Sequence, residues 1–162
     1  EWYNKNKLIT DYKYATGGKI GYTPRARHTF VSSASKDDKN LLIATFVDAD
    51  RFDTHEKLYE KYFSMYEKYT LIDKDNLMIN YKPGYKVYTS SSFSMLLTEE
   101  EHKKVKREVE LYEGVEVGER STVIGTISVS LDGKVYEKVN IYAEGIPKPK
   151  TWWEKIKEFF KW

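Results

Sequence analysis

The chain has 162 residues, 40 % apolar and 15 % aromatic with 14 tyrosines, which supplies one ordinary core or two small ones and excludes wholesale disorder. Its 27 Lys and Arg against 25 Asp and Glu leave a net charge of +2, so no global field draws it to nucleic acid, and nucleic acid is not an expected partner. The lack of cysteine excludes disulfides, thiolate metal sites and a cysteine nucleophile, and His28, His55 and His102 lie too far apart for a His-x-x-x-His zinc site, so neither metal nor cofactor is expected.

Three short β-prone runs open the chain, at 19–22, 28–35 and 40–47. Gly17-Gly18, Thr23-Pro24 and Asp37-Asp38-Lys39 separate them, which predicts consecutive antiparallel strands. The third run, from Leu41 to Val47, is nearly continuous apolar and reads as a central strand buried on both faces. From Asp53 the period changes: Leu58, Tyr59, Tyr62, Phe63, Tyr66 and Tyr69 recur at steps of three and four, predicting one helix packed on that sheet with Asp53 or Thr54 at its cap.

Short alternating strands then run from Thr70 to Gly145. The clearest are 126–131 and 135–141, which flank Asp132-Gly133 and so predict a tight hairpin. Ahead of this hairpin, the mixed charges of 98–107 read as a solvated loop or edge strand. After the proline linker Gly145-Ile146-Pro147-Lys148-Pro149-Lys150, Thr151 and Glu154 form a capping-box pattern at the start of a short helix. On a helical wheel Trp152, Trp153, Ile156, Phe159 and Phe160 share one face, suited to lying on a membrane surface. No run of 18 apolar residues occurs, and the charged start at Glu1 is not a signal peptide.

The stretch richest in chemistry is Lys19-Ile20-Gly21-Tyr22-Thr23. With Gly18 before it, Phe30-Val31-Ser32-Ser33-Ala34-Ser35-Lys36 and Asn40-Leu41-Leu42-Ile43-Ala44 after it, and Trp2-Tyr3-Asn4-Lys5-Asn6-Lys7-Leu8 upstream, it resembles the Lys-Thr-Gly strand and surroundings of serine D-alanyl-D-alanine carboxypeptidases, the low-molecular-weight penicillin-binding proteins. The likeness continues through His55-Glu56-Lys57-Leu58, and beyond residue 70 it is one of architecture.

The resemblance implies an α+β chain in three parts. Residues 1–69 are expected to end a penicillin-binding/β-lactamase-like catalytic domain, 70–146 to form a β-rich second domain, and 147–162 to be the linker and amphipathic helix. It further implies that Lys19 supplies positive potential at the catalytic centre and that Ile20, Gly21, Tyr22 and Thr23 line the substrate strand, with Gly21 small so that a ligand backbone can approach. Isoleucine at 20 replaces the family's threonine and removes a hydroxyl. The Ser-x-x-Lys and Ser-x-Asn motifs carrying nucleophile and base are expected to lie outside this chain, leaving it inactive alone. Expected partners are peptidoglycan stem peptides, β-lactams for the intact parent, and a membrane surface on the outer face of the cytoplasmic membrane. The competing function is a non-catalytic, membrane-proximal cell-wall scaffold.

Overall fold

Turn chemistry cuts the first stretch into three strands. In the computed structural model, which describes residues 4–145, these are β1 (Ala15–Thr23), β2 (Arg27–Lys36) and β3 (Lys39–Phe46), antiparallel in the order β1-β2-β3. Asp37 and Asp38 take φ of 51° and 58° between the paired Lys36 and Lys39, the geometry a two-residue hairpin loop requires and aspartate tolerates. β3 stops where Val47 turns to φ 57°.

Helix α2 (Arg51–Met65) covers one face of this sheet. Its buried residues His55, Tyr59 and Phe63 are spaced by four, so they form one stripe, and they meet Phe30 and Ala34 from β2. Leu8, from the short helix α1 (Leu8–Asp11), and Tyr12 complete that core. Ring contacts knit it together: Tyr12 stacks on Tyr59 at 5.7 Å, and Phe30 meets Phe52 edge-on at 5.2 Å. Each such buried ring contributes about 1.5–3 kcal/mol.

Two expectations need correction here. The helix begins at Arg51, ahead of Asp53, and neither Asp53 nor Thr54 caps it; the Asp48 carboxylate instead accepts the Asp50 N–H at 3.0 Å just before the first turn. Among the described residues strand β3 pairs only with β2, so it is not flanked on both sides as expected, and it alternates in burial. Leu42 and Phe46 are 71 % and 72 % exposed, while Leu41 and Ile43 turn toward the helix side. The run is apolar because both faces carry apolar residues, but only one face is covered among the described residues.

A buried lysine closes the far end of α2. Lys39, 4 % exposed at the β2–β3 turn, donates to the carbonyls of Phe63 (2.9 Å) and Tyr66 (3.1 Å) and to the Glu67 carboxylate (3.3 Å). The last carbonyls of a helix lack intrahelical partners and sit at its negative end, so an ammonium group suits them.

The described residues divide into two compact units, 4–69 with 95–103 and 70–94 with 104–145. Strand β4 (Glu67–Ile72) pairs with β6 (Phe93–Leu97). The second unit is built on a four-stranded antiparallel sheet of β5 (Tyr85–Thr89), β7 (Lys106–Leu111), β8 (Thr122–Leu131) and β9 (Lys134–Gly145), ordered β5-β9-β8-β7. As expected, β8 and β9 form a tight hairpin. Asp132 and Gly133 take φ of 49° and 81°, and only residues tolerant of positive φ fit both turn positions. Ile127, Val129, Ile141 and Ala143 are its buried centre.

The charged stretch 98–107 splits. Thr98 and Glu101 bond reciprocally, the hydroxyl accepting the Glu101 N–H at 3.2 Å and the carboxylate accepting the Thr98 N–H at 2.9 Å, and this capping box opens helix α3 (Glu99–Lys104) where a loop or strand was expected. The edge-strand reading holds from Lys106 onward, where all six residues of β7 are exposed.

Candidate functional site

Strand β1 is the free edge of the first sheet and pairs only with β2 among the described residues, with Lys19 opposite Val31 and Gly21 opposite Thr29. Directly opposed residues share a face, and successive residues alternate. Phe30, Ser32 and Ala34 face α2, so Val31, Thr29 and Ser33 face away, together with Lys19, Gly21 and the β3 residues Leu42, Ala44 and Phe46. The Lys19 side chain is exposed on this open face beside the 42 %-exposed Val31, and it makes no hydrogen bond or ion pair with the described residues. An edge strand carrying an unpaired ammonium group next to an uncovered apolar surface can pair with an extended peptide through its backbone and hold an anionic group through Lys19.

The five residues expected to line the site do not share one face. Ile20 turns to the opposite side and packs, half-buried, against the Phe30 core, so its branched side chain fills the helix–sheet interface. Tyr22 lies on that same side at the strand's end, 63 % exposed, its ring 4.9 Å from that of His28. Thr23 ends the strand, and its hydroxyl accepts the Ala26 N–H at 3.0 Å to shape the turn. Gly21 does sit on the open face with Lys19, and its smallness has a second cause: a Cβ there would stand 2.6 Å from the Thr29 hydroxyl oxygen.

Gly18 is more tightly held. A Cβ at this position would lie 2.9 Å from both the Val31 carbonyl oxygen and the Asn6 side-chain nitrogen. Asn6 is 5 % exposed, its amide group has no hydrogen-bond partner among the described residues, and its N–H is held by the Asn4 side chain at 3.0 Å. Asn6 thus abuts β1 at Gly18, Asn4 holds its backbone and Leu8 enters the core, which gives the Asn-x-Asn-x-Leu pattern a structural role. Trp2 and Tyr3 of that segment, the Pro147 and Pro149 linker, and the membrane-directed residues Trp152, Trp153, Ile156, Phe159 and Phe160 lie outside the described residues.

One literal Ser-x-x-Lys string is present, Ser33-Ala34-Ser35-Lys36, and it qualifies the expectation that this motif lies wholly outside the chain. It lies in β2, where positions three apart face opposite sides. Ser33 bonds Thr16 at 2.8 Å on the open face, while Lys36 lies 3.8 Å from Glu60 of α2 and over the Tyr14 ring on the other. Hydroxyl and ammonium cannot converge, so this string is not a nucleophile and its base. On a helix, three residues apart would bring them together.

A buried polar cluster beneath the sheet has no signal in the residue pattern. Ser32 Oγ lies 2.7 Å from both His55 Nδ1 and Tyr59 Oη, and Thr45 Oγ1 lies 3.0 Å from His55 Nε2. A Ser–His contact can signal nucleophilic chemistry, but Ser32 and His55 are 1 % and 0 % exposed, so no substrate reaches them. Burial holds the imidazole pKa below its ordinary value, against a weaker upward pull from Asp48. The cluster pins β2, β3 and α2 together.

Comparison with known proteins finds a family model for the second part of the chain and solved structures that share its fold. The family model described as "Penicillin-binding protein 5, C-terminal domain" matches residues 64–145. D-alanyl-D-alanine carboxypeptidase DacB2 of Mycobacterium tuberculosis is 46 % identical over 41 residues, 25 % of this chain and 14 % of that protein. Among solved structures, the D-alanyl-D-alanine carboxypeptidase DacD from Francisella tularensis superposes with a TM-score of 0.55 at 18 % identity, covering 91 % of this chain and 39 % of that one. Penicillin-binding protein 6B from Escherichia coli gives 0.53 at 18 % identity, over 85 % of this chain and 37 % of that one. At such identities the likeness speaks of fold, and the chain spans well under half the length of these relatives. With more than half of its residues matched by the family model and its fold shared with these enzymes, the chain belongs to the penicillin-binding protein 5 C-terminal domain family.

Proposed function

We propose that this chain is the carboxy-terminal part of a serine D-alanyl-D-alanine carboxypeptidase that removes the terminal D-alanine of peptidoglycan stem peptides through an acyl-enzyme. The nucleophilic serine and its base would be supplied by a portion preceding this chain. The observation that carries the reading is Lys19, unpaired on the open face of an edge strand and bordered by uncovered Val31, Leu42 and Phe46. An apolar surface of this kind needs a cover, and a preceding part of the catalytic domain would both cover it and bring the serine to Lys19. In that arrangement Lys19 adds positive potential where negative charge develops, and β1 pairs with the substrate backbone along Gly21 to Thr23. The product is a shortened stem peptide, and β-lactams acylate the same serine.

The aromatic face of 152–162 would hold the enzyme on the outer surface of the cytoplasmic membrane, with reversible affinity because a short helix alone is marginal. Labelled β-lactam tests the catalytic half of the proposal: the intact parent should acylate, the 162-residue chain alone should not, and Lys19→Ala in the parent should slow acylation about 10²-fold or more. Unchanged acylation of that variant would remove Lys19 from the site, and a parent that never labels would favour the non-catalytic scaffold. Liposome flotation tests the anchor, with a chain ending at Lys150 expected to lose binding.

A further inference from the structure

The two edges of the four-stranded sheet are unlike. At β5 the Thr89 N–H donates to the Lys74 carbonyl at 3.3 Å, which closes one end of that edge. At β7 all six residues are exposed, and no backbone hydrogen bond to another described residue leaves the outer side. The Tyr112 N–H donates to the Ile124 carbonyl at 2.8 Å, and Tyr112 falls opposite Ile124 when the β7–β8 register is continued by one residue. Bonded and non-bonded positions alternate along an antiparallel pair. Lys106, Glu108 and Glu110 therefore bond inward to β8, and Arg107, Val109 and Leu111 turn their N–H and C=O groups out to the free edge.

The side chains are sorted as well. Lys106, Glu108 and Glu110 stand on one face of the sheet, opposite Ser130, Ser128 and Thr126, with Lys138 3.7 Å from Glu110. Arg107, Val109 and Leu111 stand on the other, opposite Val129, Ile127 and Gly125. We propose that β7 is the edge through which two copies of this chain pair, antiparallel about a two-fold axis, to continue one sheet into the next.

Register is decided by three requirements. Outward-turned groups must meet outward-turned groups, each face must continue as itself, and the pairing must lie within 106–111. Centring the axis on Glu108 satisfies all three. It sets Arg107 against Val109 of the second copy, and Lys106 against Glu110 of the second copy, each twice by symmetry. Centring it on Val109 would set Glu108 against Glu110 twice, and centring it on Arg107 would draw in Lys104, the last residue of α3. Charges on an edge strand often serve to forbid pairing. Here the outer face is self-complementary at both ends, and only the central Glu108 meets its own kind.

Sedimentation equilibrium on the full chain, over a wide range of protein and salt concentration, tests this. A monomer–dimer equilibrium that weakens with salt is expected. Glu110→Lys places lysine against lysine at both ends and should raise the dissociation constant at least about tenfold, while Lys106→Glu combined with Glu110→Lys should restore it to within about threefold. Glu108→Gln, which removes the one like-charge contact, should tighten the dimer. Val109→Pro deletes an outward N–H without touching the ladder to β8, and should abolish dimerisation with the circular dichroism spectrum retained. A chain monomeric at every concentration, or a dimer indifferent to Glu110→Lys, overturns the proposal.

Discussion

Replacing Lys39 by methionine keeps the side chain's length and apolar stem while deleting its charge. The side chain is 5 % exposed and its ammonium group donates to two carbonyls, at 2.9 and 3.1 Å, and a carboxylate at 3.3 Å. A hydrogen bond to a charged group contributes about 1.5–3 kcal/mol, and the two carbonyls have no substitute partner in the variant. Against this, the variant no longer buries an ammonium group, which returns several kcal/mol of desolvation. The Glu67 carboxylate, itself 64 % exposed, adds little because solvent screens it. The net expectation is a loss of about 2–4 kcal/mol, felt first where α2 ends. Because the chain has two units, a single melting curve is a poor readout, and hydrogen–deuterium exchange on peptides covering 51–67 is the better one. Those amides should exchange about 30-fold faster or more in Lys39→Met, with peptides from β8 and β9 unchanged. Equal exchange in the two proteins would show that the buried lysine contributes nothing to holding the helix.

Three further outcomes are expected. The pKa of His55 is lowered in the folded chain, so below about pH 6.5 the unfolded state takes up a proton that the folded state resists; stability is then fully present above that pH and lost as it falls. Urea midpoints between pH 7 and 5, read from first-unit peptides by pulsed hydrogen–deuterium exchange, should show this decline, and the share owed to His55 should vanish in His55→Gln. Gly18→Val forces side-chain atoms into the Val31 carbonyl and Asn6, and should cost about 1–3 kcal/mol or more in the same assay, whereas Gly118→Val, with open space around it, should cost far less. Gly133→Ala keeps the chain folded but strains a φ of 81°, and should lower stability by about 1 kcal/mol; no change would mean the turn has relaxed to another type.

Where hydrophobic period and turn chemistry agreed, the fold was legible. Strands β1, β2 and β3, helix α2 and the Asp132-Gly133 hairpin all stand close to where the residues place them. β3 reads as buried on both faces because apolarity reports what a residue needs to bury, whereas Leu42 and Phe46 have nothing over them among the described residues. α3 was hidden because its six residues are all charged or polar, leaving no apolar stripe, although the Thr98–Glu101 spacing was a usable signal. Lys39 looked like an ordinary turn lysine, since nothing local reveals that a helix end will arrive 24 residues later to meet it. Lys19 was found through its family motif alone. Its chemistry as a surface lysine on an edge strand is common, and the opposite facing of Ile20 becomes visible only once Phe30 and α2 fix which side is the core.

The order β5-β9-β8-β7 puts the last strand of the described chain inside the sheet rather than at its margin. On the ribosome, β5, β7 and β8 all emerge before the strand that joins them. β8 and β9 can zip across a two-residue turn within microseconds, but β9 reaches β5 only by closing a loop of about fifty residues, as in the pairing of Tyr88 with Tyr142. Until residues 134–145 are free, β5 waits unpaired and the Ile127, Val129 face of β8 stays wet. Folding of this unit is therefore expected to wait for β9, and a stop codon early in β9 should leave the sheet without its middle, a species that stalled-chain proteolysis would detect as wholly cleavable.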